Sequence, residues 1–152
     1  MERVQNVKYV YLAGKITIGD KSTFYRNEAA EKLKKAGFAC LDPLRSKRDT
    51  SKWKALEPSE IVYRDLQDVK RASVVLAVIN EGGKKISFGT PCECMFAWMH
   101  HIPVVLVSNN EALRNHFWVK IICSRAFAKV DEAIDYIIDW HGNDEEISDS
   151  GF

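Results

Sequence analysis

Two short apolar runs without a regular polar face constrain the fold of this chain most. Residues 7–13 read VKYVYLA and are closed by Gly14, and residues 73–79 read SVVLAVI. Runs of this length that are rich in β-branched and aromatic residues are typical of strands in a parallel sheet, where helices cover both faces. The two runs therefore predict buried, parallel strands.

Helical patterns alternate with these strands along the chain. The predicted strands are residues 7–13, 38–41, 73–79 and 104–107, with a fifth formed by 119–122 and 127. The predicted helices are residues 22–36, 60–71, 91–101 and 130–140, the first two capped by Ser22 and Ser59 and the first stopped by Gly37. Inward positions are predicted in three of them: Phe24, Ala29, Ala30 and Leu33; Ile61, Val62, Leu66 and Val69; and Ala133, Ile134, Ile137 and Ile138. The alternation predicts an α/β fold of three layers, a mainly parallel twisted sheet of about five strands with helices on both faces, as in Rossmann and flavodoxin-like folds.

Length and composition predict one domain with no global charge bias. The 152 residues fit a single domain over 1–141, followed by an acidic segment at 142–152 that we expect to be flexible. The formal net charge of +1 gives no reason to expect nucleic acid or a membrane as partner. The four cysteines match no zinc spacing, so we expect reduced thiols, no metal site and a cytoplasmic protein without a signal peptide.

Glu93 is the side chain with the most functional interest, and it has two interpretations. It follows Ser87-Phe88-Gly89-Thr90-Pro91-Cys92, beyond the carboxyl end of a predicted strand, where open α/β sheets bind ligands. The helix dipole favours a carboxylate there. In the alternative, Thr90 is an N-cap, Pro91 is the first helical residue and Glu93 completes a capping box. Spacing alone favours the cap.

Two loops carry further signals. Residues 14–22 nearly spell a phosphate-binding loop, but Asp20 separates the second glycine from the lysine and places a negative charge where phosphate would lie. Asn80 also stands where a magnesium-binding aspartate would follow the strand, so a nucleoside-triphosphatase is disfavoured. The basic loop 42–58 is either a solvated connection or a lid that attracts an anionic substrate.

Four segments, taken together and in order, carry a family resemblance. They are Tyr11-Leu12-Ala13-Gly14, Arg64-Asp65-Leu66, the strand 74–79 and Ser87-Phe88-Gly89-Thr90-Pro91-Cys92-Glu93. From about residue 7 to 107 the chain resembles the nucleoside 2-deoxyribosyltransferase family, including its branch of 2'-deoxynucleoside 5'-monophosphate N-glycosidases. The resemblance implies Glu93 as the nucleophile that attacks the anomeric carbon, Tyr11 as the residue that orients it, and Asp65 as the group that manages the proton of the departing base.

The same resemblance implies substrate contacts and an oligomer, with no metal or cofactor. The implied substrate-binding residues are Gly14, Lys15, Ser87, Gly89, Thr90 and Asn115. Ser87 stands where family members acting on free nucleosides carry an aspartate, which favours a 5'-monophosphate that the serine would contact. The first-loop arginine of the nucleotide branch is missing, and Lys15 or Thr17 stands nearby. Asn115 would be lent to a neighbouring subunit, which implies a homodimer or a larger homo-oligomer.

The predicted function is therefore cleavage or transfer of the N-glycosidic bond of (2'-deoxy)nucleosides or their 5'-monophosphates through a covalent glycosyl-glutamate intermediate. Two alternatives remain open at this point. One is a nucleotide-sensing module that only binds, for which Glu93 would be a helix cap. The other is an NAD-directed glycosidase, which breaks a related bond.

Overall fold

The protein contains a five-stranded sheet in which every pair of strands is parallel. A computed structural model describes residues 7–14, 22–43, 56–80 and 87–142, with 22–26 described by their backbone alone. The strands are β1 (Lys8–Gly14), β2 (Phe38–Leu41), β3 (Val74–Val78), β4 (Val104–Val107) and β5 (Arg125–Phe127). Their order across the sheet is β2-β1-β3-β4-β5. The predicted α/β fold with a parallel sheet is confirmed.

Helices connect the strands within the described ranges. They are α1 (Ser22–Lys35), α2 (Pro58–Arg71), α3 (Gly89–Met99), α4 (Glu111–Arg114), α5 (Phe117–Ile122) and α6 (Val130–His141). The predicted glycine stop after α1 is confirmed by Gly37, whose φ of 92° is a left-handed conformation that a glycine adopts without steric cost. Residues 15–21, 44–55 and 143–152 lie outside the description, and with them Lys15, the near-phosphate loop, most of the basic loop and the acidic segment.

The sheet separates two apolar clusters, because successive side chains of a buried strand point to opposite faces. Val10 and Leu12 pack on the face covered by α1 and α6, together with Leu33 and Ile137. Tyr11 and Ala13 pack on the other face, against α2, α3 and α5. The seven-residue strand β1 thus contributes to both cores, and its alternation fixes which face receives Tyr11.

The predicted inward positions of α1 and α6 are largely confirmed. Ala29, Leu33, Ala133, Ile134 and Ile137 are each at most 1% exposed. Ala30 and Ile138 are partly buried and pack against the same cluster. The side chain of Phe24 is outside the description.

Three local predictions are wrong. Residues 119–122 belong to helix α5, and only Arg125–Phe127 adds the fifth strand, beside β4. Ser59 lies within α2; the helix is capped instead by Glu57, which forms a reciprocal capping box with Glu60. Val62 is 56% exposed although Val69, seven residues later on the same side of the helix, is fully buried. The core therefore covers the second half of α2 and not its beginning.

The end of α6 is held against the start of β1. The Lys8 ammonium donates a hydrogen bond to the carbonyl oxygen of His141 at 2.9 Å. Among the described residues, the imidazole Nε2 of His141 is buried without a hydrogen-bond partner. Burial, with a smaller contribution from the Lys8 charge, lowers the pKa of His141 below its usual 6.5. The folded protein therefore favours the neutral imidazole.

No helix within the described ranges is long and apolar enough to cross a bilayer.

The lowered pKa of His141 predicts that the protein loses stability in mild acid. The unfolded chain takes up a proton at His141 near pH 6.5 and the folded chain resists it, so the contribution is present above about pH 6.5 and is lost as pH falls below that value. We expect urea-unfolding free energies to fall between about pH 8 and about pH 5.5, and to fall less in His141→Gln. His101→Asn, at an exposed position with a φ of 59°, is the control for replacing a histidine by an amide. Parallel pH profiles for wild type and His141→Gln would contradict the assignment.

Candidate active site

Glu93 lies at the point where the order of the sheet reverses. The chain passes from β1 outward to β2 and returns to β3 on the other side of β1, and the register pairs Gly14 with Val78. In open α/β sheets, adjacent crossovers leave a ligand crevice at this switch point, outside the carboxyl ends of the strands. Helix α3 begins after β3, so its first residues stand at this edge.

A hydrogen bond joins Glu93 to Tyr11. The Tyr11 hydroxyl donates to Oε1 of Glu93 at 3.0 Å, and the two residues are 82 positions apart in the chain. Tyr11 is fully buried, whereas Glu93 is half-buried. A buried phenol needs a partner for its hydroxyl, and a carboxylate acceptor gives a stronger bond than a neutral one. The contact holds one carboxylate oxygen of Glu93 against the sheet.

The capping-box interpretation of Glu93 is wrong in its register. Helix α3 begins at Gly89 with Phe88 as N-cap, and no side chain bonds from that cap position. Thr90 is therefore the second helical residue and Glu93 the fifth. Thr90 instead shares a hydrogen bond of 3.1 Å with the hydroxyl of Ser87. The side chain of Glu93 is engaged with Tyr11 on another element.

The start of α3 has room for a polar group. Among the described residues, no heavy atom lies within 4 Å of the position that a Cβ would take at Gly89. The first N–H groups of a helix lack partners within the helix and attract anions. Ser87, Gly89 and Thr90 thus lie together, and two of them bring hydroxyls to the same helix end.

Asp65 lies on α2, which packs beside α3. Asp65 is half-buried, and it takes part in interactions with other residues. The next acidic residue on this helix, Asp68, is 4% exposed and forms a 3.5 Å ion pair with Arg71, whose guanidinium lies over the ring of Tyr9. Of the two aspartates, Asp68 therefore has a structural role.

Asn115 lies away from the Tyr11–Glu93 contact, at the end of α4. It is exposed, and its side-chain amide donates to the carbonyl oxygen of Glu111 at 3.1 Å. Gly14, by contrast, is the last residue of β1 and lies at the carboxyl edge.

The sequence analysis did not predict that Phe88 is exposed. Phe88 is the N-cap of α3 and is 85% exposed, and nothing in a single sequence marks a phenylalanine as exposed.

Two cysteines on this face of the sheet, Cys94 and Cys123, are shielded from solvent wholly or in part. Cys94 follows Glu93 but points into the core, and burial raises the pKa of its thiol far above the usual value. Burial also raises the pKa of Cys123 to about 11. Protonated, buried thiols are poor nucleophiles and poor metal ligands. Within the described ranges, no three histidine, cysteine or acidic residues cluster as metal ligands would.

The protein is a doubly wound parallel α/β domain with a tyrosine-bound carboxylate at its switch point. The model of the nucleoside 2-deoxyribosyltransferase family matches residues 10–149, so the chain belongs to this family. A search of curated proteins gave no match.

Solved structures share the fold at low sequence identity. The 2-deoxyribosyltransferase from Leishmania mexicana is 15% identical with a TM-score of 0.68, and the match covers 88% of this chain and 99% of that one. The enzyme from Bacillus psychrosaccharolyticus is 17% identical with a TM-score of 0.63, over 84% of this chain and 91% of that one. The CMP N-glycosidase BcmB from Clostridium botulinum is 14% identical with a TM-score of 0.56, over 86% and 97%. At these identities the likeness is one of fold.

The contact between Tyr11 and Glu93 predicts a measurable coupling. In a double-mutant cycle of Tyr11→Phe and Glu93→Gln, the interaction should contribute about 0.5 to 1.5 kcal/mol to the free energy of unfolding. Urea unfolding of the wild type, both single variants and the double variant measures it. Tyr9→Phe replaces Tyr11→Phe in a control cycle, because Tyr9 packs on the same face of β1. A coupling for Tyr11 no larger than that for Tyr9 would show that the bond is absent in solution.

Proposed function

We propose that this protein cleaves or transfers the N-glycosidic bond of a (2'-deoxy)nucleoside or its 5'-monophosphate, with Glu93 as nucleophile. The hydrogen bond from Tyr11 is the observation that carries the proposal. It holds the carboxylate of Glu93 at the switch point of the sheet, where the anomeric carbon of a bound sugar would be attacked. A helix cap would not require a buried tyrosine from another element.

The reaction divides one difficult displacement into two. The carboxylate of Glu93 attacks C1' of the sugar, the bond from C1' to the base nitrogen breaks with its electron pair moving to the base, and a glycosyl ester forms. Asp65 supplies or relays the proton that the departing base takes up, a role worth about 10² to 10⁴ in rate. Water then attacks C1' and releases the sugar, or a second base does so and yields a new nucleoside. Each transition state resembles an oxocarbenium ion, which the negative charge of Glu93 stabilises.

The hydroxyls at the start of α3 favour a phosphate-bearing substrate. Ser87 and Thr90 are neutral donors beside the first N–H groups of a helix, a combination that suits a 5'-phosphate and avoids charge repulsion. An aspartate at position 87 would repel it. Hydrolysis of a 5'-monophosphate is therefore the favoured form of the reaction, and Gly14, Gly89 and Lys15 complete the proposed substrate contacts.

An exposed apolar surface supports a homo-oligomer. The residues on α3 and α5 that form it are each at least 42% exposed; they are Trp98, Met99, Phe117, Trp118 and Ile121. Both helices cover the same face of the sheet. Exposed large apolar side chains in such number are typical of an interface, and Asn115 lies directly before α5. We propose that a second copy of the chain covers this surface, and that Asn115 of each chain enters the active site of the other.

The proposed reaction predicts base release that depends on Glu93. Incubation with a panel of nucleosides, deoxynucleosides, their 5'-monophosphates and NAD, followed by chromatography, should give free base from one or more monophosphates. Glu93→Gln should abolish turnover and Asp65→Asn should lower kcat by about 10² to 10⁴. Adding a second free base tests transfer, through the appearance of a new nucleoside.

Glu132→Gln is the matched control for the nucleophile. Glu132 is also a glutamate near the start of a helix, but it is exposed and lies on the other side of the sheet, so its variant should keep wild-type turnover. Ligand-induced thermal stabilisation without base release from any substrate would favour the sensing module. Release from NAD alone would favour the NAD-directed glycosidase.

Sharing of Asn115 between subunits predicts complementation. Glu93→Gln and Asn115→Ala should each be inactive or strongly impaired alone. When the two variants are dissociated and reassociated together, mixed oligomers contain one site with both wild-type residues, and activity should return in part. Sedimentation establishes the oligomer, and a monomer with full activity would rule out the shared site.

A further inference from the structure

A basic cavity of about 400 Å³ lies beside the edge strand β5. It is lined by three basic residues, Arg114, Lys120 and Arg125, and by no acidic residue. We propose that this cavity binds a small anion that carries phosphate groups. The cavity shares no lining residue with the candidate active site, and it lies at the β5 edge of the sheet, two strands beyond β3.

The positive charge of the cavity has no carboxylate partner among the described residues. Arg114 donates one hydrogen bond, to the carbonyl oxygen of Ser108 at 2.7 Å, which fixes its guanidinium and leaves most of its five donors for a ligand. Lys120 is exposed, and its ammonium takes part in no hydrogen bond or ion pair among the described residues. Uncompensated charges of one sign around a concave surface strengthen the local potential and concentrate counter-ions.

Arg125 adds a charge that aromatic rings hold in place. Its guanidinium carbon lies 5.3 Å from the ring centroid of Phe127 and 5.0 Å from that of Tyr136. Contacts of this kind attract a cation to a ring without neutralising it. Both rings pack against the cluster on the α1 and α6 face of the sheet, whereas Val119, Cys123 and Ala126 of the cavity pack on the other face. The Arg125 guanidinium is therefore held on the α6 side of the edge strand, and Arg114 and Lys120 supply the charge on the α5 side.

More than one cation at the same cavity favours a multiply charged anion, such as one that carries phosphate groups, over a singly charged carboxylate or halide. The planar fork of an arginine matches the oxygens of a phosphate group, and a flexible lysine adds a point charge. The volume lies in the range of small-ligand sites. On α5 the cavity is bordered by Val119, which lies on the opposite side of the helix from Phe117 and Ile121 by the 100° turn per residue. Lys120 lies about 100° from Val119 and about 60° from Phe117 on the same helix, so the cavity extends to the border of the apolar surface.

Inorganic pyrophosphate is the probe for this site. Calorimetric titration of the full chain at low salt should give saturable binding, and backbone amide signals of Ser124 and Ala126 should shift on titration followed by NMR. Lys120→Gln and Arg114→Gln should each weaken binding about tenfold, which corresponds to about 1.4 kcal/mol. Lys34→Gln, an exposed lysine on α1 on the other side of the sheet, should bind like the wild type.

Lys120→Gln keeps the proposal falsifiable even if the loss of the Arg114 contact to Ser108 disturbs folding, because Lys120 makes no described contact through its charge. Equal affinity of wild type and Lys120→Gln would overturn the site, and so would the absence of saturable binding to the wild type. Pyrophosphate that shifted only amides at the start of α3 would also overturn it. Competition by ADP distinguishes a nucleotide ligand from an inorganic one, and either result agrees with a phosphate site.

Discussion

Burial of β1 and β3 on both faces is the constraint on which the rest of the structure depends. Every residue of β3 is buried, and so are the last five of β1. Such strands must be covered by helices on both sides, and the crossovers between parallel strands supply those helices. The pairing of β1 with β3 then creates the switch point at which the carboxyl ends of both strands border one crevice.

The Tyr11–Glu93 hydrogen bond joins two side chains at that switch point and so defines the candidate site. Strand alternation directs Tyr11 to the face that α3 covers, and the start of α3 after β3 brings Glu93 within 3.0 Å of it. Neither residue could be assigned to this contact from its local sequence. The other end of α3 and the outer side of α5 are exposed, and there the proposed contacts with a second chain would bring Asn115 to the chemistry of a neighbouring site.

Local sequence gave wrong predictions for segments that could form either of two structures, because tertiary contacts determine which one forms. The run Phe117-Trp118-Val119-Lys120-Ile121-Ile122 is rich in aromatic and β-branched residues and favours a strand by propensity. It is a helix because Arg125–Phe127 takes the place beside β4 and because the His116 side chain accepts from the Trp118 N–H at the start of the helix. Similarly, Thr90 and Glu93 have capping-box spacing, but the helix begins at Gly89, two residues before the expected start at Pro91.

The sequence by itself determined the parallel α/β fold and four of the five strands, because hydrophobic periodicity is a local property that survives in any context. The family followed from a resemblance in four segments, which the family model confirms. It also singled out Tyr11, Asp65 and Glu93 as candidates. Only the tertiary structure decided that the Glu93 side chain bonds to Tyr11 rather than serving in a Thr90 capping box. Only it gathered Arg114, Lys120 and Arg125 around one cavity. Contacts between residues far apart in the chain depend on strand order and helix packing, and no single segment encodes those.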